Sequence, residues 1–164
     1  MFAMDAKQIA VHERWMHEAL QEARDAGDAH DVPVGAVVVR DGEVIGRGQN
    51  LVERRHDPTA HAEICAIREA TESVGYQRLT GAQLYVTLEP CAMCAGAIVL
   101  SRIQSLIIGA SDPKTGACGT IMNLVQHERL NHSVDVVTGI LVADCSLILT
   151  QFFRAKRRAG KLSS

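Results

Sequence analysis

Ile9, His12, Met16, Ala19, Leu20 and Ala23 recur at intervals of three and four, the spacing that places them on one face of a helix. This predicts a helix over Asp5 to Ala26 that covers a sheet, with Gly27 placed to end it. The runs "VPVGAVVV" and "EVIGRG" then flank Asp41-Gly42, a dipeptide suited to a tight turn, and predict an antiparallel hairpin. Asp57 as cap and Pro58 at the first helical position predict a second helix running to about Val74. Strand and helix alternate from there: "AQLYVTLE" a strand, "CAMCAGAIVLSR" a helix, "QSLIIGA" a strand. A loop "SDPKTGACGT", a helix from about Ile121, the strand "VDVVTGI" and a helix from Leu141 to about Ala159 complete the chain.

Closely spaced strand, helix and strand imply parallel pairing with right-handed crossovers. The expected fold class is therefore α/β, a mixed sheet of five strands between helices, its first hairpin antiparallel. In such sheets ligands gather at the carboxyl ends of the strands, where helices begin.

The 164 residues fit one domain, 1–164. No run approaches the roughly 18 apolar residues of a membrane span, and "MFAMDAKQIAVHERW" lacks an apolar signal core, so a cytoplasmic location is expected. Five cysteines, an odd number, argue for metal or catalytic use over a disulfide framework. The net charge of −2 conceals an asymmetry: five of the 17 basic residues lie after Phe153, where no acid occurs. A polyanion would be met locally, at that end.

"PTAHAEICAI" and "LEPCAMC" carry the candidate chemistry. Cys91 and Cys94 are three apart at a helix start opened by Pro90, so their sulfurs share a face, and the helix dipole favours the thiolates that a metal requires. With His61 they form a zinc ligand set. Three protein ligands leave an open, catalytic position; Cys65, four residues after His61, would close the site as a structural one, and it also suits an apolar filler role. Glu63, off the ligand face, could act as general base and then general acid between water and a leaving nitrogen, or merely complement the helix dipole.

"HAE" followed by "PCAMC" resembles the zinc-dependent nucleoside and nucleobase deaminases. The order of "VPVGAVVV", Asn50, "HDPTAHAEI", "LYVTLEPCAMCAGAI", "SDPKTGACG" and "FFR" is similar to the bacterial tRNA-specific adenosine deaminases of the cytidine/deoxycytidylate deaminase superfamily, from about Trp15 to Arg158. The resemblance implies a three-layer α/β/α cytidine-deaminase-like fold and a homodimer without organic cofactor that converts the wobble adenosine of a tRNA anticodon to inosine. It implies one zinc per chain on His61, Cys91 and Cys94, with Glu63 as proton shuttle. Asn50 would hydrogen-bond the flipped nucleoside, while Ala62 and Glu89-Pro90 would offer backbone contacts and Val34, Gly35 and Ala36 an apolar pocket.

The zinc signature does not separate free nucleosides from RNA. Phe152-Phe153 with Arg154, Lys156, Arg157, Arg158 and Lys161 joins a stacking surface to a basic helical face suited to an RNA loop; alone, it would read as a helix end with two core phenylalanines. Asp112 and Lys114 suit a ribose hydroxyl and a phosphate, or an ordinary turn. Three readings stand at this point: a tRNA deaminase, a small-molecule deaminase acting on guanine or a cytosine nucleoside, and a non-catalytic zinc-stabilised interaction module.

Overall fold

In the computed structural model, which describes the backbone of residues 4–162 and the side chains of residues 4–160, the chain begins with helix α1 (Ala6–Asp28). Asp5 caps it: its carboxylate accepts from the Gln8 N–H at 2.8 Å, and the Gln8 side chain accepts from the Asp5 N–H at 2.9 Å. The helix runs past Gly27 to Asp28, two residues beyond its expected end, with Ala26 fully buried.

Strands β1 (Gly35–Arg40) and β2 (Glu43–Gln49) form the expected hairpin, with Asp41 and Gly42 both at positive φ (54° and 76°) as its two-residue turn requires. A short helix α2 (Val52–Arg55), not anticipated, leads to α3 (Ala62–Val74). The predicted helix start at Asp57-Pro58 is corrected by this. Asp57 Oδ1 accepts from the N–H and hydroxyl of Thr59 at 2.8 and 2.7 Å, making a turn instead of a helix cap.

Strand β3 (Gln83–Leu88), α4 (Ala92–Leu100), β4 (Ser105–Ala110), β5 (Asp135–Thr138) and α5 (Val142–Leu162) follow. The helix expected from Ile121 is absent; the segment is a series of turns. Asn123 explains it, since its side chain accepts from the Gln126 N–H while Gln126 donates to the Val134 carbonyl, local bonds that compete with a helix.

The sheet order is β2-β1-β3-β4-β5, with β1 antiparallel to both neighbours and the remaining pairs parallel. Alternation along the strands feeds two cores. Ala36, Val38, Leu84, Val86, Leu106 and Ile108 pack with α3 and α4, while Val37, Val39, Tyr85 and Ile107 pack with α1 and α5. The result is a three-layer α/β/α arrangement. Gly46 and Gly48 let α3 rest directly on β2: a Cβ at Gly48 would lie 2.0 Å from the Ala62 carbonyl oxygen, and one at Gly46 2.3 Å from that of Ala66. Gly35 and Ala36 belong to this packing, Gly35 against Ala19 of α1 and Ala36 in the core.

Candidate active site

Close seating on β2 brings the start of α3 to the carboxyl end of the sheet, where α4 also begins. His61 is the N-cap of α3, its backbone extended (φ −71°, ψ 155°), and Cys91 is the N-cap of α4 (φ −73°, ψ 175°). This resolves the odd two-residue spacing of His61 and Glu63. His61 stands outside the helix and Glu63 inside it, so both reach one cleft.

His61 Nδ1 lies 3.7 Å from Cys91 Sγ and 3.5 Å from Cys94 Sγ, and all three ligand atoms fall within 4.8 Å of one another, close enough to hold a metal ion. Cys65 is not among them. Its side chain turns to a separate groove beside Arg47 and Arg68, which removes the closed four-ligand alternative.

Hydrogen bonds from Cys94 and from His61 hold the Cys91 thiol down at about 3. The same bond to Cys91, with burial, pushes Cys94 up, and the bond to Cys91 raises His61. The cluster thus carries a thiolate, the form a soft cation takes. Glu63 is 3% exposed, and burial raises its carboxyl to about 7.

The cluster opens on a cleft of about 290 Å³ lined by His61, Glu63, Cys91, Asn50, Ala62 and Asp112, with Val32, Val34 and Val52 as apolar wall. Its volume is near the lower end for ligand pockets, roughly 300–1,000 Å³, and suits one nucleoside. Asn50 is fixed by donating to the Val32 carbonyl at 3.2 Å. Asp112 reaches the wall, but its carboxylate accepts from the Lys114 and Thr115 N–H groups and from the Thr115 hydroxyl. Lys114 is exposed and outside the lining, as are Phe153, Arg154 and Arg157 on α5. Phe153 is 41% exposed and stacks edge-on with Phe152, so neither ring is core; Lys161 lies outside the described side chains.

Sequence reasoning assigned no role to the Glu89 side chain. Burial works to raise this carboxyl, but hydrogen bonds from Thr120, Asp112 and Cys118 hold it below the usual carboxylate range. An acid interrupting the apolar run "LYVTLEPC" was the available signal. Thr115 and Glu53 also line the cleft, and nothing in their spacing marks them.

The MafB19-like deaminase family model matches residues 10–157. The chain is 51% identical to the tRNA-specific adenosine deaminase of Bacillus subtilis (strain 168) over 149 residues, 91% of this chain and 92% of that protein. The chain belongs to the tRNA-specific adenosine deaminase family. A solved structure from work on A-to-I editing by tRNA:A34 deaminases superimposes on this family member with a TM-score of 0.80 at 48% identity, covering 83% of this chain and 99% of the other. The expected cytidine-deaminase-like fold is therefore the one observed. A guanine deaminase from Bacillus subtilis is more distant from this tRNA-specific adenosine deaminase family member, with a TM-score of 0.60 and 31% identity over 90% of this chain and 94% of that one.

Proposed function

We propose that this chain hydrolyses the wobble adenosine of a tRNA anticodon to inosine, releasing ammonia. The observation that carries the proposal is a buried carboxylate, Glu63, beside the His61, Cys91 and Cys94 cluster at a nucleoside-sized cleft. Zinc is the ion proposed, one per chain. Zinc bonds of about 2.3 Å to sulfur and 2.0–2.1 Å to nitrogen, at the tetrahedral angle, separate the two donors by about 3.6 Å. The distances of 3.5 and 3.7 Å fit that edge. Bound there, zinc supplies Lewis-acid activation of the attacking water.

Glu63 takes a proton from that water as its oxygen adds to carbon 6 and delivers it to the adjacent ring nitrogen. It then moves the remaining hydroxyl proton to the amino group, which leaves as ammonia. Asn50, held by Val32, hydrogen-bonds the nucleoside, and Ala62 offers backbone contact to the base. Asp112 receives the ribose hydroxyl, with Lys114 near a phosphate. If Asp112 only shapes its turn, a deoxyribose at the target nucleotide should impair Asp112→Asn and the parent equally. Phe153, Arg154 and Arg157 engage the stem-loop beyond the cleft.

Assay of the purified protein with an anticodon stem-loop beside free adenosine, cytidine and guanine tests the reading. Inosine in the stem-loop is expected; turnover confined to guanine would move the chain to the small-molecule class.

A homodimer is also proposed. Met93 and Leu100, seven apart and so on one face of α4, are both exposed, and a second copy would cover that face. Leu100→Glu should convert the dimer to a monomer in light scattering; an unchanged mass would place the interface elsewhere. Among the described residues no helix is long and apolar enough to cross a membrane, and a cytoplasmic location follows from the proposed substrate.

A further inference from the structure

Glu89 is 5% exposed, and its carboxylate is surrounded by donors from one loop. Oε1 accepts from the N–H groups of Cys118 and Thr120, each at 3.1 Å; Oε2 accepts from the Asp112 N–H at 3.0 Å and from the Thr120 hydroxyl. One side chain thereby gathers both ends of the segment from 112 to 120. The segment closes onto the strand end through the Ala117 N–H, which donates to the Pro90 carbonyl at 2.8 Å. Gly116 passes so near that a Cβ there would lie 2.5 Å from the Glu89 carboxyl carbon. Asp112 and Thr115 of the same segment line the cleft.

We propose that the Glu89 carboxylate is a positioning residue that fixes this loop as a wall of the active-site cleft and so sets how tightly the target nucleoside is held. An ionised carboxylate only accepts, along about four lone-pair directions, and four donors meet it. An amide in its place would turn N–H against N–H. The wall would then lose its side-chain anchor and keep only the Ala117 bond to Pro90, while the ligand residues at the starts of α3 and α4 keep their places. The inference rests on the proposed deaminase reading for its kinetic consequence, though the anchoring itself does not.

The test uses the full chain as Glu89→Gln, Thr120→Val and Thr120→Ser. On the stem-loop, Glu89→Gln should raise KM roughly tenfold or more with a much smaller change in kcat, the pattern of lost uniform binding. Metal content should stay equal to the parent's. In hydrogen exchange, the amides of Asp112, Cys118 and Thr120 should lose protection. Thr120→Val should move the same quantities less, and Thr120→Ser, which keeps the hydroxyl, should match the parent. A fall in kcat at constant KM, or loss of metal in proportion to activity, would overturn the proposal by placing the effect on Cys91. Should the parent fail to turn over the stem-loop, the deaminase reading falls, yet unchanged amide protection in Glu89→Gln would still overturn the anchoring role. If Glu89→Gln does not fold, the Thr120 pair decides by the same readouts.

Discussion

Glu63 lines the cleft from the first turn of α3, two residues from His61, and is buried at 3% exposure. Glu63→Gln keeps the shape and removes the proton carrier, so kcat should fall by about two to four orders of magnitude with metal content unchanged. Near-normal turnover would remove the shuttle from the mechanism. The gathering of His61, Cys91 and Cys94 into one cluster, with Glu63 in the same cleft, was legible in residue type and spacing, because ligand sets are few. The position of His61 as a cap was not, since Asp57 and Pro58 offered an equally good start and only the Thr59 bonds decide between them. His12 is a residue whose role no motif announces. Its Nδ1 lies 3.0 Å from the Tyr85 hydroxyl, and burial lowers its pKa below 6.5. A depressed histidine contributes stability that is complete above its unfolded pKa and is lost as pH falls through the folded value. Thermal melts of the parent should therefore weaken below pH 6.5 more steeply than those of His12→Gln. Parallel curves would show that His12 is not the group responsible.

Helix α3 owes its seat to the absence of side chains on β2. Gly48→Ala would drive a methyl into the Ala62 carbonyl, 2.0 Å away, and backbone cannot give as a flexible side chain can. The expected loss is about 1–3 kcal/mol, or roughly 2–12 °C in Tm, from a melt of the purified variant. An unchanged Tm would mean that α3 can lift without penalty. At this scale, the apolar runs of β1, β3 and β4 announced the strands because sheets covered on both faces need side chains that are apolar throughout. The short helix α2 escaped notice because its support is distant in the chain. Fully buried Asp31 accepts from the Glu53 N–H and from Arg54 Nε, each at 2.7 Å, across more than twenty residues. Local pattern carries no trace of such a partner.

Only part of α5 packs on the rest of the protein: Cys145 and Ile148 enter the core, whereas every described side chain from Phe153 to Gly160 is exposed. Truncation after Gln151 should leave the fold and weaken stem-loop binding. Each phosphate contact removed should flatten the negative slope of log affinity against log salt by about 0.7. Binding with unaltered salt dependence would return this segment to a solvated helix end. The two caps at the site carry a different consequence. His61 begins one helix and Cys91, 30 residues later, begins the other, so an ion shared between them is thermodynamically linked to the ordering of both. At a free-ion concentration 100 times the dissociation constant, that linkage adds about 2.7 kcal/mol to the folded state. The melting temperature should then climb with the logarithm of free zinc, and a chelator should loosen α3 and α4 before the distant core beneath α1.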